Sequence, residues 1–269
     1  MNYLGFAGTM GADFIDYIIA DPVVLPSDQQ EFIAERIVQL PDCYQVNDAQ
    51  RAISARTPSR HELGLPEQAF VFCCFNNNFK IAPTVFNVWM RLLASTPGSV
   101  LWLLRDNDVA EMNLRAAAAA RGVNPDRLVF APRQPLATHL ARHRAADLFL
   151  DTLPFNAHTT ASDALWAGLP LLTCAGGTFA GRVGASLLTA VGLGDLVTHS
   201  LDQYEALARR LAAEPALLAS VRGRLESNRR LHPLFDTARY RRQIEAAYST
   251  MWENWQRRER PHSFRVDPQ

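Results

Sequence analysis

Between Phe155 and Pro170, polar side chains stand where a strand-like run gives way to a helical pattern. His158, Thr159 and Thr160 come just before the apolar part of that pattern, and the carboxylate of Asp163 follows one turn later. The first amides of a helix lack internal acceptors and carry the positive end of the helix dipole. A phosphate there would gain backbone donors, hydroxyls and an imidazole, while the carboxylate could accept from ribose hydroxyls. The stretch predicts an anion site, and the alternative is an ordinary N-cap without a ligand.

The composition gives the chain no overall positive charge, so an anion site must come from a few residues placed close together. Lys plus Arg and Asp plus Glu each number 27 in 269 residues, so no net charge favours nucleic acid or a membrane surface as a partner. Cys43, Cys73, Cys74 and Cys174 lack metal-ligand spacing and are typical of small core residues in a reducing compartment. There is no signal-peptide pattern and no apolar run of about 20 residues. We therefore predict a cytoplasmic protein.

The elements that must position these residues alternate from about residue 70 onward. Short unbroken apolar runs suit parallel strands buried on both faces. They are Phe70 to Phe75, Val100 to Leu104, Leu128 to Ala131, Leu148 to Leu150 and Leu171 to Cys174. Helical patterns fill the gaps and continue to the end: Pro83 to Thr96, Val109 to Arg121, Leu136 to His143, Thr178 to Val191, Leu201 to Ala213, Pro215 to Arg230 and Asp236 to Arg258. This order predicts an α/β fold with a doubly wound parallel sheet, whose ligands bind beyond the carboxyl ends of the strands.

The first 50 residues differ from this pattern. A glycine-punctuated turn from Gly5 to Gly11 precedes a strand-like run over Phe14 to Asp21, and a helix is predicted from Gln29 to Val38. This piece is similar to the closing elements of another α/β lobe. Arg51 to Pro66 reads as a connection between lobes.

The predicted organisation therefore has three parts. Residues 1–57 form the C-terminal portion of a first lobe. Residues 58–258 form a Rossmann-like lobe with terminal helices. Residues 259–269 form a polar tail that is expected to fray.

Four polar clusters each follow a predicted strand: Phe75 to Lys80, Leu103 to Arg105, Pro132 to Arg142 and Phe155 to Asp163. With these clusters the chain closely resembles the catalytic region of protein O-GlcNAc transferases, over roughly Phe6 to Trp255. The matching motifs are Gly8-Thr9-Met10-Gly11-Ala12 with Asp16-Tyr17-Ile18-Ile19, Phe75-Asn76 with Phe79-Lys80-Ile81, Ser99 to Arg105, and His158-Thr159-Thr160 with Asp163 and Leu165-Trp166-Ala167-Gly168.

The resemblance implies a two-lobed GT-B fold in which this chain supplies one Rossmann-like donor-binding lobe and the closing portion of the other. It implies an inverting transfer of N-acetylglucosamine from UDP-N-acetylglucosamine to Ser or Thr hydroxyls of a protein acceptor. No metal and no cofactor beyond that donor substrate are expected.

By this resemblance Lys80 is the catalytic residue, which neutralises the charge that grows on the leaving UDP. His139 and Arg142 would hold the uracil, although these two residues alone are more typical of an exposed helix face. The residues implied to bind the donor are Gly8, Asn77, Leu104, Gln134, His139, Arg142, His158, Thr159, Thr160 and Asp163.

Three positions depart from the pattern of the animal enzymes. Asn77 replaces a glutamine near the phosphate, Phe79 replaces a tyrosine, and Leu136 replaces a lysine near the nucleotide. Losing that lysine removes a charge from the donor site, so weaker donor binding is expected. The large insertion of the animal enzymes is also absent, which is typical of bacterial members.

The family's other catalytic half and its tetratricopeptide repeats precede the region that this chain resembles. Both are expected as partners in a longer parent protein, and the isolated chain is expected to bind UDP weakly, to transfer little and to self-associate. Two alternatives stay open: a UDP-sugar-binding module without transfer, and a GT-B sugar-nucleotide epimerase, which would need paired carboxylates. His139 and His143 have metal-ligand spacing but no third ligand.

Overall fold

The computed structural model describes residues 1–268, which contain two parallel sheets. The strands are β1 (Tyr17–Ala20), β2 (Arg36–Gln39), β3 (Val71–Cys74), β4 (Val100–Leu104), β5 (Leu128–Ala131), β6 (Leu148–Leu150), β7 (Leu171–Cys174), β8 (Val197–Thr198) and β9 (Phe264–Arg265). The α-helices are α1 (Pro83–Ser95), α2 (Asp108–Ala119), α3 (Leu136–Arg142), α4 (Thr159–Ala167), α5 (Val183–Ala190), α6 (Leu201–Ala213), α7 (Pro215–Leu231) and α8 (Thr237–Gln256).

The larger sheet has six parallel strands in the order β5-β4-β3-β6-β7-β8. This is the Rossmann-like order, in which the chain winds outward from β3 in one direction and then from β6 in the other. The topological switch point therefore lies between β3 and β6. Loops leaving the carboxyl ends of these two strands diverge there and open a crevice for a ligand.

The predicted α/β class is confirmed, because each apolar run became a strand of one parallel sheet. Every residue of β3, β4, β6 and β7 is buried, as expected for strands covered by helices on both faces. Trp89 of α1 and Trp102 of β4 are fully buried in the same core. Burying a large apolar side chain contributes about 1.5–3 kcal/mol, so this core accounts for much of the stability.

The predicted helix from Gln29 to Val38 is wrong. A short 3-10 helix, Ser27–Phe32, is followed by strand β2. The Gln30 side-chain amide donates to the carbonyls of Ile33 at 3.0 Å and Glu35 at 2.8 Å, so those carbonyls do not serve a helix. Parallel pairing with β1 buries Ile37 and Val38 instead.

The tail expected to fray is ordered at Phe264–Arg265, where β9 pairs with β2. The amide of Ile37 donates to the Ser263 hydroxyl at 2.9 Å, and Val266 is buried beside β2 and α8. The smaller sheet thus has the order β1-β2-β9. Helix α5 starts later than predicted, because the glycine-containing segment 175–182 forms a loop that closes with a Gly176 amide to Gly181 carbonyl bond of 2.7 Å.

None of the helices within residues 1–268 is long and apolar enough to cross a membrane.

Candidate functional site

The loops after β3 and β6 meet at the switch point, where Lys80 reaches across from the first loop to the second. Its ammonium donates to the Asn156 carbonyl at 2.9 Å and lies 4.1 Å from the centre of the Phe155 ring. Burial lowers the pKa of Lys80 below its ordinary value, while the nearby Asp151 carboxylate acts in the opposite direction. A partly buried cation at this position can meet a diphosphate with little competition from water.

A polar network ties the two loops together. The Asn76 side-chain amide donates to the Thr152 hydroxyl at 2.7 Å, and the Thr160 hydroxyl donates to the Asn76 side-chain carbonyl. The Thr152 hydroxyl in turn donates to the Phe155 carbonyl at 2.7 Å. Asn76 thus fixes the start of α4 relative to the end of β3.

Asp151, directly after β6, organises the second loop from inside the protein. Its Oδ1 accepts from the amides of Thr152 at 2.7 Å and Ala157 at 2.6 Å, and its Oδ2 accepts from the Thr173 hydroxyl at 2.6 Å. Burial raises the pKa of Asp151 to about 7, against the effect of these hydrogen bonds and of Lys80.

The predicted anion motif lies at the start of α4, which begins at Thr159. His158 stacks on Phe155, with ring centres 4.9 Å apart, and burial lowers its pKa to about 4, with Lys80 adding to the shift. The imidazole is therefore neutral at pH 7. Thr159 is exposed, and its hydroxyl makes no hydrogen bond to any residue from 1 to 268, whereas that of Thr160 is engaged with Asn76.

Asp163 is mostly buried and forms an ion pair with Arg51, a residue of the predicted connection between lobes. Burial raises the pKa of Asp163, and the Arg51 guanidinium acts in the opposite direction. The predicted ribose acceptor therefore already has one charged partner.

The predicted base-binding residues sit on the other side of the switch point. Arg142 is almost fully buried and donates to the Pro132 carbonyl and to His139 Nδ1, both at 2.6 Å. Accepting at Nδ1 leaves the proton of a neutral His139 on Nε2. Burial lowers the pKa of His139 to about 4, with Arg142 and Arg133 adding to the shift. Arg142 thus orients His139 in this structure.

The remaining predicted residues are spread around this edge of the sheet. Leu104 is buried at the end of β4 and Gln134 is exposed before α3. The Asn77 side-chain carbonyl accepts from Arg133 at 3.2 Å. The Gly8 carbonyl accepts from the Asn2 side-chain amide at 2.7 Å. The roles of these residues stay predictions.

A cleft of about 600 Å³ opens beside the start of α4. It is lined by residues 4–7 and 44–48, by Arg51, and by Phe155, His158 and Thr159 with Ala180. The cleft therefore joins the predicted phosphate-binding residues to the N-terminal segment. Within residues 1–268, no group of three His, Cys, Asp or Glu side chains is placed to hold a metal ion.

Comparison with known proteins identifies the family. The model of Glycosyl transferase family 41 matches residues 52–244. The chain belongs to this family. The resemblance to protein O-GlcNAc transferases is thereby confirmed, and the α/β sheet is that of a GT-B-type glycosyltransferase lobe.

Two curated relatives illustrate the match. The probable UDP-N-acetylglucosamine–peptide N-acetylglucosaminyltransferase SEC of Arabidopsis thaliana is 39% identical over 272 residues, covering 99% of this chain and 28% of that protein. The Caenorhabditis elegans UDP-N-acetylglucosamine–peptide N-acetylglucosaminyltransferase is 36% identical over 198 residues, covering 74% of this chain and 17% of that protein. The chain thus spans less than a third of the length of these relatives.

Solved structures agree. A mutant of the O-GlcNAc transferase of Thermobaculum terrenum matches with a TM-score of 0.86 and 30% identity, covering 94% of this chain and 48% of that one. The lipopolysaccharide glycosyltransferase WaaG matches with a TM-score of 0.60 at 20% identity over 86% of this chain and 63% of that one, which concerns the fold alone.

Sequence reasoning missed three residues of the site: Arg51, Asn76 as a loop connector, and Asp151. Asp151 carried a signal, since a carboxylate directly after a fully buried strand must find donors inside the fold. Lys80 carried a further signal, because it is the only lysine in the sequence. Arg51 had none, since its partner is 112 positions away.

Proposed function

We propose that this chain is the donor-binding part of an inverting, metal-independent transferase that moves N-acetylglucosamine from UDP-N-acetylglucosamine to Ser or Thr hydroxyls of proteins. One observation carries the proposal: the only lysine of the chain meets the start of α4 at the switch point of the sheet. Membership of glycosyl transferase family 41 and the names of the relatives support the donor and the reaction.

The proposed chemistry follows from the charges at this point. The acceptor hydroxyl oxygen forms a bond to the anomeric carbon and gives up its proton to a base, while the bond from that carbon to the diphosphate breaks, so negative charge grows on UDP. Lys80 stabilises that charge as a fixed cation, and the amides that open α4 add the helix dipole. A neutral His158 and the unengaged hydroxyl of Thr159 supply further hydrogen-bond donors to phosphate oxygens.

The proposal includes partners outside this chain. Because the relatives are more than three times as long as the matched region, we propose that other segments of a longer protein supply the acceptor groove and the tetratricopeptide repeats. The proposed compartment is the cytoplasm.

Calorimetric titration of UDP and UDP-N-acetylglucosamine in EDTA tests donor binding. We expect saturable binding, weakened about tenfold or more by Lys80→Ala and by His158→Ala, since each removes a donor to a charged group. Ser200→Ala is the matched control, because it removes a polar side chain from the start of a different helix. Ser200 is the N-cap of α6, and its hydroxyl accepts from the Gln203 amide at 3.2 Å. A folded wild-type chain that binds neither ligand would contradict the proposal.

A UDP-sugar-binding module without transfer is the second candidate, because the site residues described above are all ones proposed to hold the donor. Release of UDP from UDP-N-acetylglucosamine in the presence of Ser- and Thr-containing peptides separates the two. Binding without acceptor-dependent release of UDP supports the module, and peptide glycosylation supports the transferase.

A further inference from the structure

Arg51 is held in the wall of the cleft by contacts on several sides. Its Nη1 pairs with Oδ1 of Asp163, and its Nε donates to the Asp48 carbonyl at 3.2 Å. The Trp166 indole donates to the Arg51 carbonyl at 3.1 Å, and the guanidinium carbon lies 5.8 Å from the centre of the Trp166 ring. The side chains of Arg51 and Asp163 are 12% and 9% exposed.

Two residues of α4 contact Arg51 from the same side. Asp163 and Trp166 are three residues apart, so they share one face of the helix. Asp163 pairs with the guanidinium of Arg51 and Trp166 donates to its backbone carbonyl, and Arg51 belongs to the segment between the two sheets. The position of that segment and the orientation of the Asp163 carboxylate are therefore linked.

The ion pair occupies only one carboxylate oxygen. Oδ1 of Asp163 is taken by Arg51, and Oδ2 has no hydrogen-bond donor anywhere in the described chain. A carboxylate with one oxygen fixed by a rigid planar donor presents the other in a defined direction. That arrangement suits a neighbouring pair of ligand hydroxyls.

We infer that Arg51 is a positioning residue of the donor site, which holds the Asp163 carboxyl group turned so that Oδ2 accepts from the ribose hydroxyls of the nucleotide. The inference rests on the proposed function and adds a residue from the connecting segment to it. Arg51 acts through Asp163, and its effect is confined to ligands that carry those hydroxyls.

A double-mutant cycle in binding tests this inference. We expect Arg51→Gln and Asp163→Asn each to weaken UDP binding about tenfold, and the double variant to bind no more weakly than either single variant. All four proteins should bind 2′,3′-dideoxy-UDP within about twofold of one another. An equal loss for UDP and the dideoxy compound would overturn the inference, because Arg51 would then act on the phosphates or on the fold.

Arg56→Gln is the matched control, since Arg56 lies on the same segment in an exposed ion pair with Glu62. It should leave both affinities unchanged. Arg51→Lys replaces Arg51→Gln if the latter does not fold. Lysine keeps the charge but lacks the planar guanidinium, so an intermediate loss of affinity is expected for UDP and none for the dideoxy compound.

A second readout does not depend on the nucleotide. Titration of the Asp163 carboxyl by carbon NMR should give a higher pKa in Arg51→Gln than in the wild-type chain, because Arg51 favours the charged form. An unchanged pKa would overturn the inference. Failure of the wild-type chain to bind UDP would instead contradict the proposed function, which keeps the two outcomes distinct.

Discussion

At the scale of single residues, burial sets the charges at the donor site. It raises the pKa of Asp151 to about 7 and lowers those of His139 and His158 to about 4. Both imidazoles are therefore neutral donors near pH 7. The site relies on Lys80 for a positive charge beside the start of α4, which explains how a chain with no net charge can still present an anion site.

Asp151→Asn should change how stability depends on pH. A carboxyl whose pKa is raised on folding stabilises the protein fully below its unfolded pKa near 4, and that contribution is lost as pH rises through about 7. From pH 5 to pH 8 the wild-type chain should therefore lose on the order of 1 kcal/mol or more of unfolding free energy relative to the variant. Urea unfolding at both pH values measures this difference. The exposed Asp126→Asn serves as control, and parallel behaviour of all three chains would contradict the prediction.

The single lysine allows a direct measurement of charge at the site. Reductive methylation with carbon-13 formaldehyde should label only Lys80 and the terminal amine. By NMR, Lys80 should titrate below an ordinary lysine, and its pKa should rise when UDP binds, because the diphosphate favours the ammonium form. The terminal amine is the internal control. A Lys80 pKa that does not change when UDP binds would mean that the diphosphate lies elsewhere.

At the scale of elements, sequence reasoning succeeded where a segment is apolar throughout. The five predicted strands of the larger sheet are all present, because buried parallel strands need no alternation and stand out as unbroken runs. It failed at β8 and β9, which have two residues each and give no apolar run, and at β2, which was assigned to a helix because its spacing of apolar residues also suits one. The start of α4 could be predicted from its residue types, whereas the engagement of Thr160 and Asp163 could not, since their partners come from other loops.

Two helical glycines should respond to alanine in opposite ways. A Cβ on Gly184 of α5 would collide with Asp151 Oδ2 and Thr173 Oγ1, which are hydrogen-bonded to each other and buried. Gly184→Ala should cost about 1–3 kcal/mol through overpacking. In Gly223→Ala, at an exposed position of α7, the new Cβ meets nothing within 4 Å, and the variant should gain about 0.5–1 kcal/mol. Thermal unfolding of both variants tests these two predictions, and equal shifts of the unfolding temperature would contradict them.

At the scale of the whole molecule, large apolar side chains are exposed near the N-terminus. Phe14 is 85% exposed, and Phe6 and Met10 are more than half exposed. Single exposed apolar residues are common, but several in one short segment indicate a surface that pairs with another.

The isolated chain should therefore self-associate through this segment. Phe14→Ser should weaken the association about tenfold, measured by sedimentation velocity over a range of concentrations. Leu231→Ser is the matched control, since Leu231 is 80% exposed but lies on α7. An equal effect of the two substitutions would indicate non-specific aggregation.

The pairing of β9 with β2 also has a consequence for biosynthesis. On the ribosome β2 emerges before the six-stranded sheet, but its neighbour β9 follows every other strand of residues 1–268. The six-stranded sheet can therefore be assembled while one edge of β2 still lacks its partner, and such an open edge can pair with another nascent chain. Closure of the three-stranded sheet therefore comes after synthesis of the larger sheet, and a ribosome that stalls before residue 264 would leave that edge open.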